Sequence, residues 1–367
     1  MAYVATRGGE SAIVQSERLY RAGLGAIDAD RVAEVGSALP WLVDRVMGEA
    51  SLYEPESAAL ALAQTGGDLY ETVLLLRAWR TTQPRLAIAE PVLQENLFTH
   101  RRISAAFKDI PGGQILGPTL DYSHRILATS VLEGNPFMPE PVAPADEPAP
   151  ARQPSLAAWQ KAQGLVADPP REEVAPKDIP DLTREALLFP APRAHVLQSL
   201  ARADTGGVLT LGYSAMRGYG NAHPTVNELR LAEAEVCVRH PRGTVFSAGR
   251  VKVSQAEVAA KEAEGIRLGF AATLGWNEIK VISAATLDLN APGAAKGSPV
   301  EEEFVLYHTE PVEASGFCIH FKLPHYVTFQ SSLDAIRNAK TKDAVPAKPT
   351  PTAAKTKTRE LEKEPAE

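Results

Sequence analysis

Asp68-Leu69-Tyr70-Glu71-Thr72-Val73-Leu74-Leu75-Leu76-Arg77-Ala78-Trp79-Arg80-Thr81-Thr82 sets the character of the N-terminal half. Asp68 is placed as a helix cap, Glu71 follows at a capping-box spacing, and Gly66-Gly67 in front is a helix stop. Pro84 ends the run, because the residue before a proline is pushed out of the helical region. Upstream, Leu39, Leu42, Val43, Val46 and Met47 recur at helix spacing, and residues 58–63 are alanine and leucine, strong helix formers. Residues 1–135 are therefore expected to form a mainly helical domain, with a last helix from Asp121 to about Glu133. Residues 136–154 hold seven prolines and residues 168–192 are again proline-rich. Segment 136–192 reads as a linker or irregular excursion. Beyond it, 208–214, 235–239, 244–253, 268–274 and 304–308 read as strands, and Asn277 is placed to cap a helix. The expected fold is α+β: a helical N-terminal half, an α+β domain over 193–337, and a disordered tail over 338–367 that is poor in large apolar residues.

Composition narrows the function. The 367 residues carry 38 Lys+Arg against 45 Asp+Glu, a net charge of −7, which argues against a protein that wraps nucleic acid over a basic face. Two cysteines, Cys237 and Cys318, exclude a disulfide framework and fit a reducing compartment. No apolar run approaches the ~18 residues of a membrane span, and the N-terminus lacks the pattern of a secretory signal. The expected location is the cytoplasm.

Three constellations carry candidate chemistry. Lys108-Asp109-Ile110-Pro111-Gly112-Gly113-Gln114 lies between Arg101-Arg102 and His124-Arg125. Backbone N–H groups of such a loop cradle anions, and the flanking cations suit a polyphosphate, although no Gly-Lys-Ser/Thr makes it a P-loop. The alternative is a tight turn whose arginines pair with acids. Arg217-Gly218-Tyr219-Gly220 with His223-Pro224 reads as a strand running into a functional turn or a simple turn cap, and Glu228 and Arg230 follow. Finally, His320 and His325 flank Pro324, which breaks any regular element between them. Two imidazoles are too few for a closed zinc site, so Cys318, another chain or an open position completes it, or the histidines are structural.

These blocks together resemble one family. Asp44-Arg45-Val46-Met47, residues 74–82, Arg101-Arg102-Ile103-Ser104, residues 108–114, Leu116-Gly117-Pro118-Thr119, Asp121-Tyr122, His124-Arg125, Arg217-Gly218-Tyr219-Gly220, His223-Pro224, residues 301–306 and residues 322–327 are similar to the I-subunit family of the bacterial carbon–phosphorus lyase core complex. The similarity spans about residues 1 to 335. The resemblance implies a part in phosphonate catabolism: with G, H and L subunits, displacement of adenine from ATP by methylphosphonate gives ribose 1-methylphosphonate 5-triphosphate. The I subunit would be the nucleosidase-like component. G, H and J subunits are implied as core partners, and L and an ABC-type K subunit as transient ones. His320 and His325 match the family's zinc histidines, with the zinc near the J subunit, a radical enzyme. One departure is Val253-Ser254-Gln255-Ala256-Glu257-Val258, where the family carries a Thr-Glu-Cys-Glu-Met-like block.

On that reading Arg101, Arg102, Lys108, Gly112, Gly113 and Arg125 are expected to hold the triphosphate. Asp121, His124 and Glu228 are candidates for general acid or oxocarbenium stabiliser, and Arg217 and His223 for holding the phosphonate. The rival expectation is a non-catalytic scaffold that supplies a zinc site to the radical subunit.

Overall fold

A five-stranded antiparallel sheet organises the chain, in the order β2-β1-β3-β4-β5. Its strands are β1 (Phe98–Ile103), β2 (Ala151–Arg152), β3 (Thr225–Arg239), β4 (Val245–Glu262) and β5 (Gly265–Leu274). The coordinates are a computed structural model that describes residues 9–141, 150–167, 178–322 and 327–343. The sheet draws on all three expected segments, since β1 precedes residue 135, β2 lies in the proline-rich stretch and β3–β5 follow residue 193. Residues Ser16–Ile319 make one compact unit; Met1–Gln15 and His320–Glu367 make another.

Alternation along the strands gives the sheet two unlike faces. Leu229 pairs with Ala256 and Ala256 with Ala271, so these side chains share a face with Val258 and Leu231. Helix α9 (Glu278–Asn290) packs there through Val281, Ala284, Ala285 and Leu289, with α7 (Arg193–Arg202), α8 (Thr205–Ser214) and α10 (Glu302–His308) around it. The other face carries Arg102, Glu228, Arg230, Gln255 and Glu257, all buried. It is covered by irregular chain and by the short helix at Leu156–Ala162, whose Gln160 bonds Asn227 and whose Leu156 amide donates to Glu228.

The N-terminal helices form as the sequence predicts. They are α1 (Gly9–Leu24), α2 (Ala29–Ala38), α3 (Pro40–Ala50), α4 (Pro55–Gln64) and α5 (Leu69–Thr82). Asp68 caps α5, accepting from the Tyr70 and Glu71 amides. Val43, Val46, Met47, Leu62, Val73 and Leu76 make a second apolar core. Polar clamps tie it to the sheet layer. Glu49 accepts from the Thr205 amide (3.0 Å) and hydroxyl (2.7 Å), and Arg77 donates to the Glu49 and Arg202 carbonyls and to the Glu310 carboxylate. Asn277 caps α9 as expected, accepting from the Lys280 amide. The protein is α+β.

Three elements differ from the sequence reading. Residues 208–214 form α8, not a strand: Asp204 caps the helix by accepting from the Gly207 amide, and burial falls on Val208, Gly212 and Ala215, a helical period. Residues 304–308 lie in α10, whose first turn carries Glu302 and Glu303, favourable at the positive end of a helix. The helix expected from Asp121 is absent; the chain is irregular to a 3-10 turn at Thr129–Glu133, and Asp121 to Ser130 are exposed, so no apolar face packs to support a helix. Further on come α6 (Leu156–Ala162), α11 (Pro311–Lys322) and α12 (Val327–Asp343). Residues 338–343 of the expected tail thus end α12, and the remainder lies outside the described residues. No helix among the described residues is long and apolar enough to cross a membrane.

The contact between β5 and α9 depends on Gly269. A Cβ there would overlap the Ala285 carbonyl oxygen and lie 2.7 Å from Leu289 Cβ. Gly269→Ala is expected to lower stability by roughly 1–3 kcal/mol, the range of overpacked cores, read as a lower urea midpoint with an unchanged slope.

Candidate functional site

A β-bulge builds the polar face. The β3–β4 register shifts between Val226 and Glu228, leaving Asn227 as the inserted residue. Successive strand residues ordinarily face opposite ways; the bulge lets Asn227 and Glu228 both reach the same network. Asn227 donates to Glu257 Oε2 (3.2 Å) and exchanges two hydrogen bonds with Gln160 (2.8 and 2.9 Å). Gln94 donates to both Glu228 Oε2 (3.1 Å) and Glu257 Oε1 (3.3 Å), and the Ser155 hydroxyl donates to its oxygen (2.6 Å).

Glu228, 1% exposed, sits between two guanidiniums. It accepts from Arg102 Nε and from Arg230 Nη2 at 2.9 Å. Every other described bond of these arginines goes to a carbonyl. Arg102 donates to Pro111 (2.6 Å), Gly113 (2.9 Å) and Pro154 (3.0 Å), and Arg230 to Gln94, Gln153 and Pro154. Burial and the neighbouring Glu228 charge push the Glu257 carboxyl up to about 7, against the hydrogen bonds from Asn227 and Gln94.

The glycine-rich loop is mounted on this network. Arg102 exchanges backbone hydrogen bonds with Ile115, both 2.7 Å, while its side chain holds the Pro111 and Gly113 carbonyls. Gly112 takes φ +84°, and a side chain there would collide with Gln153. Arg101 emerges on the opposite face of β1. It donates to the Leu116 carbonyl, to Asp121 and to Glu278 at the start of α9. Two consecutive arginines therefore clamp one loop from both faces of a strand, and both are buried. The Gly113 amide donates back to Ile110 (2.9 Å), which closes a turn rather than opening that N–H to a ligand.

What the loop presents outward is a different set. Lys108, Gly112, Gly113, Asp121, His124 and Arg125 are exposed. Asp121 accepts from Arg101 and, at 3.4 Å, from Arg125. Ala105 and Ala106 both donate to the Val226 carbonyl at 3.0 Å, which sets the start of the loop beside the beginning of β3, just after His223. His223 is exposed. Arg217 is also exposed, in the turn that ends α8, with its guanidinium 5.9 Å from the Tyr213 ring. No described contact joins Arg217 to the loop.

His320 is exposed on the last turn of α11, and His325 lies outside the described residues. Among the described residues no group of three or more His, Cys, Asp or Glu is placed to hold a metal ion. The described donors do not by themselves make a zinc centre.

Sequence reading missed Gln94, Asn227 and Glu257 as members of the network. A signal was present in Ser254-Gln255-Ala256-Glu257-Val258, where polar and apolar residues alternate within a strand. It showed that Gln255 and Glu257 share a face, but not that the face is buried.

Fold and site together define an α+β protein with a cation-fringed surface loop mounted on a buried ion network. The family model for the bacterial phosphonate metabolism protein PhnI matches residues 2–343, and the chain belongs to that family. It is 38% identical to the alpha-D-ribose 1-methylphosphonate 5-triphosphate synthase subunit PhnI of Rhizobium meliloti (strain 1021), over 91% of this chain and 94% of the relative. It is also 38% identical to the synthase subunit PhnI of Escherichia coli (strain K12), over 91% of this chain and 97% of the relative.

The network generates two predictions. Glu228→Gln leaves two buried guanidiniums without their shared countercharge and is expected to cost about 3–5 kcal/mol in urea unfolding. Glu257 has its folded-state pKa raised, so the native state binds the extra proton between the unfolded value near 4.5 and about 7. Its contribution is present below that window and lost as pH rises through it. Glu257→Gln is expected to be favoured relative to wild type at pH 8 over pH 5 by on the order of 3 kcal/mol, read from paired unfolding curves.

Proposed function

We propose that the chain is a subunit of an alpha-D-ribose 1-methylphosphonate 5-triphosphate synthase and the component that releases adenine from ATP. The match to the PhnI family across residues 2–343, with two relatives of that printed function at 38% identity, carries this reading. The reading extends to G, H and J subunits as core partners, to L and K as transient ones, and to a cytoplasmic location.

The reaction breaks the bond between the ribose anomeric carbon and the purine nitrogen. An oxygen of methylphosphonate forms the new bond to that carbon, and adenine leaves with the bonding pair and needs a proton. Positive charge develops on the ribose, so a fixed carboxylate nearby is favourable. The burial pattern divides the residues. Arg101, Arg102 and Glu228 have their described hydrogen bonds inside the protein and serve as positioning residues. Lys108 and Arg125 are the exposed cations of the loop, suited to the triphosphate. His124 is the imidazole of the loop, a side chain able to donate a proton, and it is assigned as the general acid to the leaving purine. Asp121, bonded by Arg101 and Arg125, stays an acceptor and is assigned to the developing ribose charge. Arg217 and His223 are assigned to the phosphonate. His320 and His325 would give a partner subunit two imidazoles toward a shared zinc, whose contribution when bound is to polarise an oxygen ligand.

A second reading is favoured by one observation. From Leu116 to Met138 the chain exposes Leu116, Leu120, Tyr122, Ile126, Leu127, Val131, Leu132, Phe137 and Met138, a density of uncovered apolar side chains that suits burial against a partner. On that reading the chain scaffolds the complex without touching ATP.

Adenine release from ATP by the assembled complex, with and without methylphosphonate, separates the two. His124→Ala is expected to lower the rate about 100-fold or more with little change in KM, and Arg125→Ala to raise KM for ATP. Unchanged kinetics in both variants, with the complex intact, would assign the chain to the scaffold role.

A further inference from the structure

The block 74–82 has no part in the loop just described, yet it ends in an unusual charge arrangement. Arg77 and Arg80 lie one turn apart on α5. Arg77 is fully engaged by Glu310 and by the Glu49 and Arg202 carbonyls. Among the described residues Arg80 has no carboxylate within salt-bridge distance, and its one described side-chain hydrogen bond goes to Thr183 Oγ1 at 3.3 Å. Beside it, Arg80, Thr81, Gln83, Arg85, Thr183 and Arg184 line a cavity of about 360 Å³.

Three guanidiniums border this cavity, and among the described residues one carboxylate pairs with them. Asp181 pairs with Arg85 at 2.6 Å and stands 3.9 Å from Arg184. Burial would raise the Asp181 carboxyl, but hydrogen bonds from Thr183 and Arg85 outweigh it and hold the group at about 2, so it is ionised and its charge is committed. Burial, with repulsion from Arg85, Arg184 and Arg77, holds the Arg80 guanidinium below its usual range. The hydroxyls are no substitute for a counterion: Thr81 donates to the Ala78 carbonyl, and Thr183 donates to Asp181. The C-terminal dipole of α5 accounts for only part of the surplus, since it is equivalent to roughly half an elementary charge against two uncompensated cations.

We infer that this cavity is a binding site for a polyphosphate chain, held by Arg80, Arg85 and Arg184. Guanidinium forks match phosphate oxygens bidentately, and three of them around one cavity suit several linked phosphates better than a single carboxylate. The hydroxyl donors being engaged, recognition rests on charge and falls as ionic strength rises. The cavity shares no lining residue with the loop assigned to ATP above.

Calorimetric titration of the full-length chain with inorganic tripolyphosphate at low salt tests it. Wild type is expected to show saturable binding, weakened about tenfold or more in Arg80→Gln and in Arg184→Glu. Arg184 has 61% of its side chain exposed, so reversing its charge does not threaten folding and decides the matter even if the Arg80 variant misfolds. Without ligand, Arg184→Glu is expected to keep or raise the melting midpoint; a purely structural cluster would lose stability instead. Repeating the titration with ATP identifies the source: an equal loss points to a nucleotide's phosphate chain, and a loss for tripolyphosphate alone to free polyphosphate. The site is refuted by absence of saturable tripolyphosphate binding, by Arg184→Glu binding like wild type, or by binding lost only in Arg125→Ala.

Discussion

Two buried guanidiniums sharing one carboxylate constrain the middle of this structure. Arg102 and Arg230 are both 0% exposed, and Glu228 between them is 1% exposed. A guanidinium removed from water must find acceptors for its N–H groups, and one carboxylate cannot supply them all. Backbone carbonyls at Gln94, Pro111, Gly113, Gln153 and Pro154 take the other bonds, and Arg230 Nε has no partner among the described residues. Chain without regular secondary structure is thereby fixed against the sheet, because its carbonyls are the acceptors that the charges require. The bulge at Asn227 belongs to the same arrangement, since it turns an extra amide toward Glu257.

The same constraint separates charges that anchor from charges left at the surface. Arg101 and Arg102 are adjacent on β1, so their side chains leave the strand on opposite faces. One reaches Leu116, Asp121 and Glu278, the other Pro111, Gly113 and Glu228. The loop gains a rigid mount, and the cations left at its surface, Lys108 and Arg125, are flanked by His124. On the proposed function this division favours binding, because preorganised groups lose less entropy when they meet a ligand.

Much of the helical half was legible because its signals are local. Asp68 with Glu71, Gly66-Gly67 and Pro84 each act within a turn of their own position, and the helix they delimit is present as read. Residues 208–214 were not legible, because a short apolar run suits a buried strand as well as a helix, and here the cap at Asp204 and packing against α9 decide. The site was legible in residue type and not in direction. Arg101, Arg102, Asp121 and Glu228 stand out as charged residues in glycine-flanked blocks, and they do converge in pairs. Whether a guanidinium faces a ligand or a carbonyl 9 to 52 residues away depends on tertiary closure, which no local pattern encodes.

Counting acceptors against donors gives opposite answers for two arginines on one helix. Arg77 and Arg80 occupy neighbouring turns of α5 within the same sequence block. Arg77 meets a carboxylate and two carbonyls, which welds α5 to α3, α7 and the Glu310 turn. Among the described residues Arg80 meets one hydroxyl, with three other guanidiniums contributing repulsion and Asp181 opposing them. In a chain whose net charge is −7, acids are plentiful, so a local surplus of cations is not a shortage of partners in the sequence. It is a surface where, among the described residues, three guanidiniums meet the one carboxylate of Asp181, and such a surplus has the electrostatic form of an anion site.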